Sequence, residues 1–267
     1  MVEGISGLLE AVRKKVPLVH QITNYVTVND CANATICAGG SPVMTDEIGD
    51  APAMTGFASA LVLNIGTANA RVVDTMIACG KAANDAGAIV VLDPVGVGAT
   101  EFRTSAVDLI LKKVEVGVIK GNAGEISIMA GEAGKVRGVD SAGGSGATAA
   151  EALAKMTGTV VGMSGPVDYV SDGNKTYILS NGHETMGRIS GTGCMLSSVT
   201  GCYVGTKGAS VDAVAAAISA FGIAGEIAGR DAGGPGTFKP LLFDALYNMD
   251  GKAADRMRKI KPCTTSM

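Results

Sequence analysis

Residues 88–100 read AIVVLDPVGVGAT, a run of five apolar residues followed by Asp93 and a glycine-rich turn. An unbroken apolar run of this length is typical of a strand that is buried on both faces of a parallel sheet. Four other short, mostly apolar runs are also predicted strands: residues 17–22, 61–65, 114–119 and 159–163. Helical patterns separate them, so the sequence predicts an α/β fold with a mostly parallel central sheet.

The helical patterns between these strands cover residues 28–38, 68–86, 104–113, 123–130 and 147–157. Two short runs then flank the turn-forming sequence SDGN, which predicts a small antiparallel hairpin of residues 167–170 and 175–179. Further helices are predicted at 194–204, 211–228 and about 238–248.

The composition favours one domain that associates with copies of itself. The chain has 267 residues and no linker or repeat, so we expect a single domain across 1–267, with a mobile loop at SAGGSGA (141–147). Hydrophobic residues make up 47% and charged residues only 18%, which predicts that a homo-oligomer covers part of the surface. The net charge of -3 offers no basic patch for nucleic acid or an anionic membrane.

Targeting and cysteine patterns predict a cytoplasmic protein. Residues 1–17 are typical of a short amphipathic helix and lack the order of a secretory signal. The apolar run from Val211 stops at Glu226, which predicts a segment too short to span a bilayer. The six cysteines form no CxxC pair and there are only two histidines, so neither a disulfide framework nor a structural zinc site is expected.

The sequence ISGTGCMLSS (189–198) places a glycine-rich turn before a helix. The free backbone N–H groups and the dipole of a helix N-terminus bind anions, so Gly191, Thr192 and Gly193 are a candidate anion hole. The alternative is a tight turn that leads into a packed helix. Cys194 follows on the first turn, either as a catalytic group or as a small buried residue. Neither GxxxxGK[ST] nor a GxGxxG after a strand occurs.

Two predicted strands are followed by carboxylates. Asp93 follows one strand, and KGNAGE (120–125) places Asn122 and Glu125 after the next. The carboxyl ends of parallel strands meet at one edge of a sheet, so Asp93 and Glu125 are candidate ligands, direct or through water, for Mg²⁺ that carries nucleotide phosphates. The alternatives are that Asp93 caps its turn and that Asn122 and Glu125 form a capping box.

The segment VHQITNYVTVNDCANATICAGGSPVM (19–44) is rich in Asn and Thr between a predicted strand and a predicted helix. Asn24 and Asn29 are candidate helix caps. Met44 is expected on a loop, where it either packs into the core or contacts a ligand.

Together these segments resemble the hydroxyethylthiazole kinases of thiamine salvage, a family of the ribokinase-like superfamily. The resemblance covers nearly the whole chain. It rests on VHQITNYVTVND (19–30), GGSPVMTDE (39–47), LVLNIGT (61–67), VVLDPVGVGATEFRT (90–104), IKGNAGEI (119–126), VDYVSDG (167–173), SNGHETM (180–186), GTGCMLSSVT (191–200) and PLLFDALYN (240–248).

The resemblance implies a three-layer α/β/α fold and ATP-dependent phosphorylation of 4-methyl-5-(2-hydroxyethyl)thiazole. It also implies a homotrimer with sites at the subunit interfaces. Cys194 matches the position where related kinases carry an aspartate base, and Asp93 and Glu125 match the metal-associated positions. The implied substrate contacts are Met44, Gly191, Asn24 and Gly66.

The implied ATP contacts are Asn122, Lys120 and Ser164, and two of these depart from the family pattern. Lys120 stands where the family often has Arg, which removes the planar bidentate fork. Ser164 stands where Thr is usual and keeps the hydroxyl donor. In the implied mechanism Cys194 accepts the hydroxyl proton, and we expect the helix N-terminus to lower its pKa. The rival interpretations are a kinase of another small heteroaromatic alcohol and a thiazole-binding protein without catalysis.

Overall fold

A computed structural model describes residues 4–131 and 145–263 of the chain. The first half contains α1 (Ile5–Lys15), β1 (Leu18–Ile22), α2 (Val28–Ala38), β2 (Ser41–Val43), α3 (Ala51–Thr55), β3 (Ala60–Asn64), α4 (Ala70–Ala86), β4 (Ile89–Asp93), α5 (Glu101–Lys113), β5 (Val118–Asn122) and α6 (Ala123–Met129). The second half contains α7 (Ser145–Thr157), β6 (Val160–Ser164), β7 (Asp168–Ser171), β8 (Thr176–Leu179), a 3₁₀ helix (Glu184–Arg188), α8 (Thr192–Lys207), α9 (Val211–Asp231), α10 (Pro235–Tyr247), α11 (Gly251–Met257) and β9 (Ile260–Pro262).

The described residues form a nine-stranded sheet in the order β2-β1-β3-β4-β5-β6-β7-β8-β9. The pairs from β2 to β6 are parallel, and β7, β8 and β9 are antiparallel to their neighbours. Two register pairs, Asn64 with Asp93 and Asn122 with Ser164, therefore lie at the same carboxyl edge. This edge is where open α/β sheets bind their ligands.

Helices cover both faces of the sheet. On one face α1, α2, α8, α9, α10 and α11 contribute to a core that includes Val62 and Val91. On the other face α3 to α7 pack in two clusters that include Leu61, Leu63 and Leu92. In β3, for example, Val62 packs on one face of the sheet and Leu61 and Leu63 pack on the other, because successive side chains of a strand point to opposite faces. The predicted three-layer α/β/α architecture with a mostly parallel sheet and a small antiparallel hairpin is confirmed.

The strand predicted at 114–119 is misplaced, since β5 spans Val118–Asn122. Val114 is the C-cap of α5, and its backbone N–H donates to the Ile110 carbonyl. Val114 is buried in the core and Val116 packs against that core. The segment that connects α5 to β5 is therefore as apolar as a strand, which explains the misplaced prediction. Of the mobile loop predicted at 141–147, residues 141–144 lie outside the described part of the chain, and the rest begins α7.

The apolar segment from Val211 is longer than the sequence predicts. Helix α9 has 21 residues and continues past Glu226, so by length and composition it could cross a membrane. In the structure, 83% of its apolar window is buried, and α9 packs between α8 and α10. Its composition fits a core helix.

Candidate active site

Asp93 lies at the carboxyl end of β4 and is almost fully buried. Its Oδ2 atom accepts hydrogen bonds from Asn64 Nδ2 at 2.8 Å and from Ser197 Oγ at 2.7 Å. Burial raises the pKa of Asp93, while the positive charge of Lys120 and the two hydrogen bonds oppose that rise. The carboxylate is thus held by side chains from β3 and α8, and both of its donors are buried.

The glycine-rich turn forms the N-terminus of α8. Gly191 is the N-cap residue with φ of 87°, and a Cβ atom there would overlap the Thr27 side chain. The first N–H groups of a helix have no intrahelical partners, so those of Thr192 and Gly193 are available to an anion. The sequence-predicted anion hole therefore has the geometry of a helix N-terminus, and its binding role stays a prediction.

Lys120 brings a buried positive charge to this turn. It lies in β5 with only 3% of its surface exposed, and its Nζ donates to the Gly193 carbonyl at 3.0 Å. The same charge opposes the burial-induced rise in pKa of Asp93 and of Asp168. Lys120 thus places an ammonium group beside the candidate anion hole.

Cys194 sits between two carboxamides at the start of α8. Its Sγ accepts hydrogen bonds from Asn24 Nδ2 and from Asn64 Nδ2, each at 3.2 Å. Burial raises the pKa of the Cys194 thiol, and the charge of Asp93 raises it further, while the amides and Lys120 oppose the rise. The expected lowering of this pKa is therefore wrong, because burial and the charge of Asp93 raise the pKa by more than the two amides and Lys120 lower it.

Asn122 and Glu125 form the capping box that the sequence suggested as an alternative to ligand binding. Asn122 Oδ1 accepts from the Glu125 backbone N–H at 3.0 Å, and Glu125 Oε2 accepts from the Asn122 backbone N–H at 2.7 Å. Glu125 Oε1 also accepts from the Gly96 N–H at 2.9 Å, which fixes the turn after Asp93. Capping is thus confirmed for both residues, and their roles toward metal and nucleotide stay predictions.

Two cavities flank this region. The small cavity, of about 280 Å³, lies near the ends of β1 and β3, and Met44 and Asn64 line it together with Tyr25. The large cleft, of about 700 Å³, is lined by Asn122, Ser164, Asp168, Thr192, Gly193, His183 and neighbouring residues. Met44 also packs against the core, so both interpretations of this residue describe part of its environment. The anion hole borders the large cleft, and Asn64 joins Cys194 to the small cavity.

Of the remaining candidate residues, Ser164 lines the large cleft, and Asn24 and Gly66 bond to Asn64 beside the small cavity. Asn24 is buried, and its Oδ1 accepts from the Thr27 N–H and hydroxyl. Gly66 follows β3, and its N–H donates to Asn64 Oδ1 at 2.9 Å. Ser164 ends β6 and donates its hydroxyl to the Gly121 carbonyl at 3.3 Å.

Three polar residues at the site escaped the sequence analysis: Asn64, Ser197 and Asp168. Asn64 had a readable signal, because it ends a buried apolar run in LVLNIGT as Asp93 ends its own. Ser197 lies one helical turn after Gly193, to whose carbonyl its hydroxyl also donates at 3.3 Å. Asp168 begins β7 and accepts from the Gly165 N–H at 2.9 Å. Burial raises the pKa of Asp168 to about 7.

Comparison with known proteins shows the family to which the chain belongs. A profile of the hydroxyethylthiazole kinase family matches residues 9–252. The chain belongs to this family. The hydroxyethylthiazole kinase of Methanocella arvoryzae is 51% identical over 92% of this chain and 93% of its own, and that of Methanoculleus marisnigri is 53% identical over 91% and 88%.

Solved structures agree with this family membership. The hydroxyethylthiazole kinase of Pyrococcus horikoshii has a TM-score of 0.90 and 40% identity, covering 97% of this chain and 98% of that one. A pyridoxal kinase from Staphylococcus aureus, in complex with AMP-PCP and pyridoxal, has a TM-score of 0.65 at 15% identity, over 92% and 98% of the two chains. The second likeness concerns the fold alone. A ribokinase-like superfamily protein of Enterococcus faecalis, with a TM-score of 0.66 at 12% identity over 93% and 94% of the two chains, has the same fold, which confirms the predicted ribokinase-like fold.

Proposed function

We propose that this chain is an ATP-dependent kinase that phosphorylates the hydroxyl of 4-methyl-5-(2-hydroxyethyl)thiazole in thiamine biosynthesis and salvage. One observation carries the proposal: the N-terminus of α8, with the Lys120 ammonium beside it, borders a cleft of about 700 Å³ and connects through Cys194 and Asn64 to a second cavity. A phosphoryl group at this helix N-terminus has room for a nucleotide on one side and for a small alcohol on the other. Family membership supports the same reaction.

ATP occupies the large cleft in this proposal. Ser164 and Asn122 contact the nucleotide, and Lys120 neutralises its phosphates. The thiazole occupies the small cavity against Met44, with Asn24 and Gly66 at its edge. Gly191, Thr192 and Gly193 receive the γ-phosphoryl group with their backbone N–H groups.

The alcohol oxygen attacks the γ-phosphorus, its O–P bond forms, and the bond to the bridging oxygen of ADP breaks. Cys194 accepts the hydroxyl proton. Its raised pKa makes the thiolate a minor species at neutral pH, and also makes that thiolate a stronger base. Transfer through a loose transition state depends mainly on positioning and charge stabilisation, so a proton that leaves late suffices.

Asp93 and Glu125 fit a Mg²⁺ that is held partly through water. They are close enough for the charge of Glu125 to raise the pKa of Asp93, but their oxygens already accept hydrogen bonds from the protein. Within residues 4–131 and 145–263 there is no group of three or more His, Cys, Asp or Glu that could hold a metal alone. When bound, Mg²⁺ neutralises charge on the transferring phosphate.

The metal assignment has its own test in Glu125→Gln. We expect this variant to need several-fold more Mg²⁺ for half-maximal velocity, because it removes one of two nearby negative charges. The glutamine has a similar shape but keeps only one of the two oxygens that accept backbone N–H groups, so a thermal melt accompanies the titration. An unchanged Mg²⁺ titration would leave Glu125 with its capping role alone.

The chain acts as a single-domain cytoplasmic homotrimer in this proposal. Tyr25 and Phe57 are each 78% exposed, and Val26 is 61% exposed. Tyr25 also lines the small cavity, so a neighbouring subunit that covers it would complete the thiazole site. Light scattering coupled to size exclusion is expected to give three times the monomer mass.

A coupled ADP-release assay with a panel of small alcohols tests the function. The proposal predicts ATP turnover that depends on the thiazole alcohol and exceeds turnover with the other alcohols. A clear preference for a different heteroaromatic alcohol would make the chain a kinase of another substrate. Tight thiazole binding without ADP release would make it a binding protein.

A further inference from the structure

Asn64 is the centre of the hydrogen-bond network at the carboxyl edge of the sheet. It ends β3, is 1% exposed, and lies in register with Asp93 on the neighbouring strand. Its Oδ1 accepts from Asn24 Nδ2 at 3.1 Å and from the Gly66 N–H at 2.9 Å. Its Nδ2 donates to Asp93 Oδ2 at 2.8 Å and to Cys194 Sγ at 3.2 Å. One carboxamide thus joins four groups of the site.

The surroundings allow only one orientation of this carboxamide. If the amide were flipped, its NH₂ would face two donors, the Gly66 N–H and the Asn24 NH₂. Its oxygen would then face the Asp93 carboxylate. Asn24 is held in the same way, because Thr27 provides two donors to its Oδ1. The two asparagines therefore present one N–H each to the sulfur of Cys194.

We propose that Asn64 is a positioning residue that fixes the Asp93 carboxylate and the Cys194 sulfur in one relative arrangement at the point of phosphoryl transfer. Asn64 also lines the small cavity itself. Asp93 comes from β4 and Cys194 from α8, and Asn64 donates to both of them directly. The inference rests on the proposed function, and its test includes a readout that needs no kinase activity.

Asn64→Asp and Asn64→Leu form the experimental pair. The aspartate has the same shape and keeps an acceptor for Asn24 and Gly66, but it replaces the amide donor with a second oxygen. The leucine removes donor and acceptor. We expect kcat to fall about 10–100-fold in both, as when a group that orients a catalytic ligand is lost. The KM for ATP should stay within about twofold, since Asn64 borders the small cavity and not the large cleft.

The matched control is Asn84→Ala. Asn84 also uses both ends of its carboxamide, which bond to the backbone of Glu115. Both residues come before the start of a strand, β4 or β5, whereas the site lies at the carboxyl ends of these strands. This variant should lose some thermal stability and keep the wild-type kcat. If Asn64 had a purely structural role, folded Asn64→Asp would likewise lose some thermal stability and keep the wild-type kcat.

Alkylation of Cys194 by iodoacetamide, followed by peptide mass spectrometry, supplies the activity-independent readout. Cys37 is also half-buried and serves as an internal reference. We expect Cys194 alkylation to slow several-fold in both Asn64 variants, because one N–H donor to the sulfur is lost, while Cys37 is unaffected. If Asn64→Leu does not fold, Asn64→Asp decides alone.

Wild-type kcat, or an unchanged Cys194 alkylation rate in folded Asn64→Asp, would overturn the proposal. If wild-type protein phosphorylates no thiazole, the proposed function fails separately. The alkylation rates then still decide whether Asn64 positions the thiol.

Discussion

Two register pairs at the same edge of the sheet have opposite character. In the first pair, Asn64 and Asp93 are buried and bond to each other and to α8. In the second pair, Asn122 is exposed and Ser164 is half-buried, with its hydroxyl on a backbone carbonyl. We call these the closed pair and the open pair. The closed pair fits a reaction centre that must be rigid, and the open pair leaves polar groups accessible to a nucleotide.

The closed pair contains a buried aspartate, Asp93, and a second buried aspartate, Asp168, begins the strand next to Ser164 of the open pair. The two aspartates differ in their donors. Asp93 accepts from two side chains, whereas Asp168, beside the open pair, accepts from one backbone N–H. Burial is the first cause of a raised pKa in both. The polar groups of the closed pair thus mostly bond to each other, whereas Asn122, Ser164 and Asp168 all line the large cleft.

Asp168→Asn should change the pH dependence of folding. The pKa of Asp168 is about 7 in the folded chain and near 3.8 when unfolded, so the folded state binds more protons between these values. The free energy of unfolding of the wild type therefore falls as pH rises from 3.8 to 7, by at most about 4 kcal/mol. Urea unfolding at several pH values should show the asparagine variant gaining relative stability up to pH 7 and levelling above it. A pH-independent difference would contradict the buried-carboxylate assignment.

Asp93→Asn tests the closed pair. The side chain has the same shape but carries no charge, so we expect the fold to survive and kcat to fall about 100-fold. Steady-state kinetics and a thermal melt measure the two effects. Asn122→Ala, in the open pair, serves as the comparison and should lower kcat much less. Equal losses in the two variants would remove the distinction between the pairs.

Cys194 variants test the proton acceptor. Cys194→Ala should lower kcat about tenfold or more, while Cys194→Asp should keep or raise it. Because the pKa of the thiol is raised, wild-type kcat should increase with pH above neutrality, and the increase should be absent in the aspartate variant. If Cys194→Ala turned over as fast as the wild type, the residue would have only a packing role.

Ser164→Ala tests the open pair. Loss of one hydroxyl should raise the KM for ATP about threefold and leave kcat unchanged, as expected for one modest hydrogen bond. Ser164→Thr keeps the hydroxyl and should restore the wild-type KM. A change in kcat without a change in the KM for ATP would mean that Ser164 acts in phosphoryl transfer and not in nucleotide binding.

The sequence predicts the framework well where a site residue ends or begins a regular element. Asp93 ends an apolar strand, and Gly191 precedes a helix, so both can be located without coordinates. The start of β5 could not be found in this way, since buried Val114 belongs to the end of α5. Asn64 ends its apolar run as Asp93 does, but the four groups to which its carboxamide bonds are apparent only in the structure.

The electrostatics of the site depend on contacts that sequence spacing does not show. The direction of the Cys194 pKa shift follows from burial and from Asp93, and the two residues are distant in sequence. Lys120 reaches the Gly193 carbonyl across 73 positions. The chemical roles of these residues stay predictions, whereas the fold and the family are confirmed.

The most direct test of the proposed reaction centre follows a radioactive γ-phosphate of ATP. The transfer of this label and the affinity for nucleotide are measured for the wild type and for Asp93→Asn. We predict that the wild type moves the label to the hydroxyl of the thiazole alcohol. We also predict that Asp93→Asn binds nucleotide as tightly and transfers almost no label. Tight thiazole binding with no labelled ester in the wild type, or full transfer by Asp93→Asn, would contradict the proposed reaction centre.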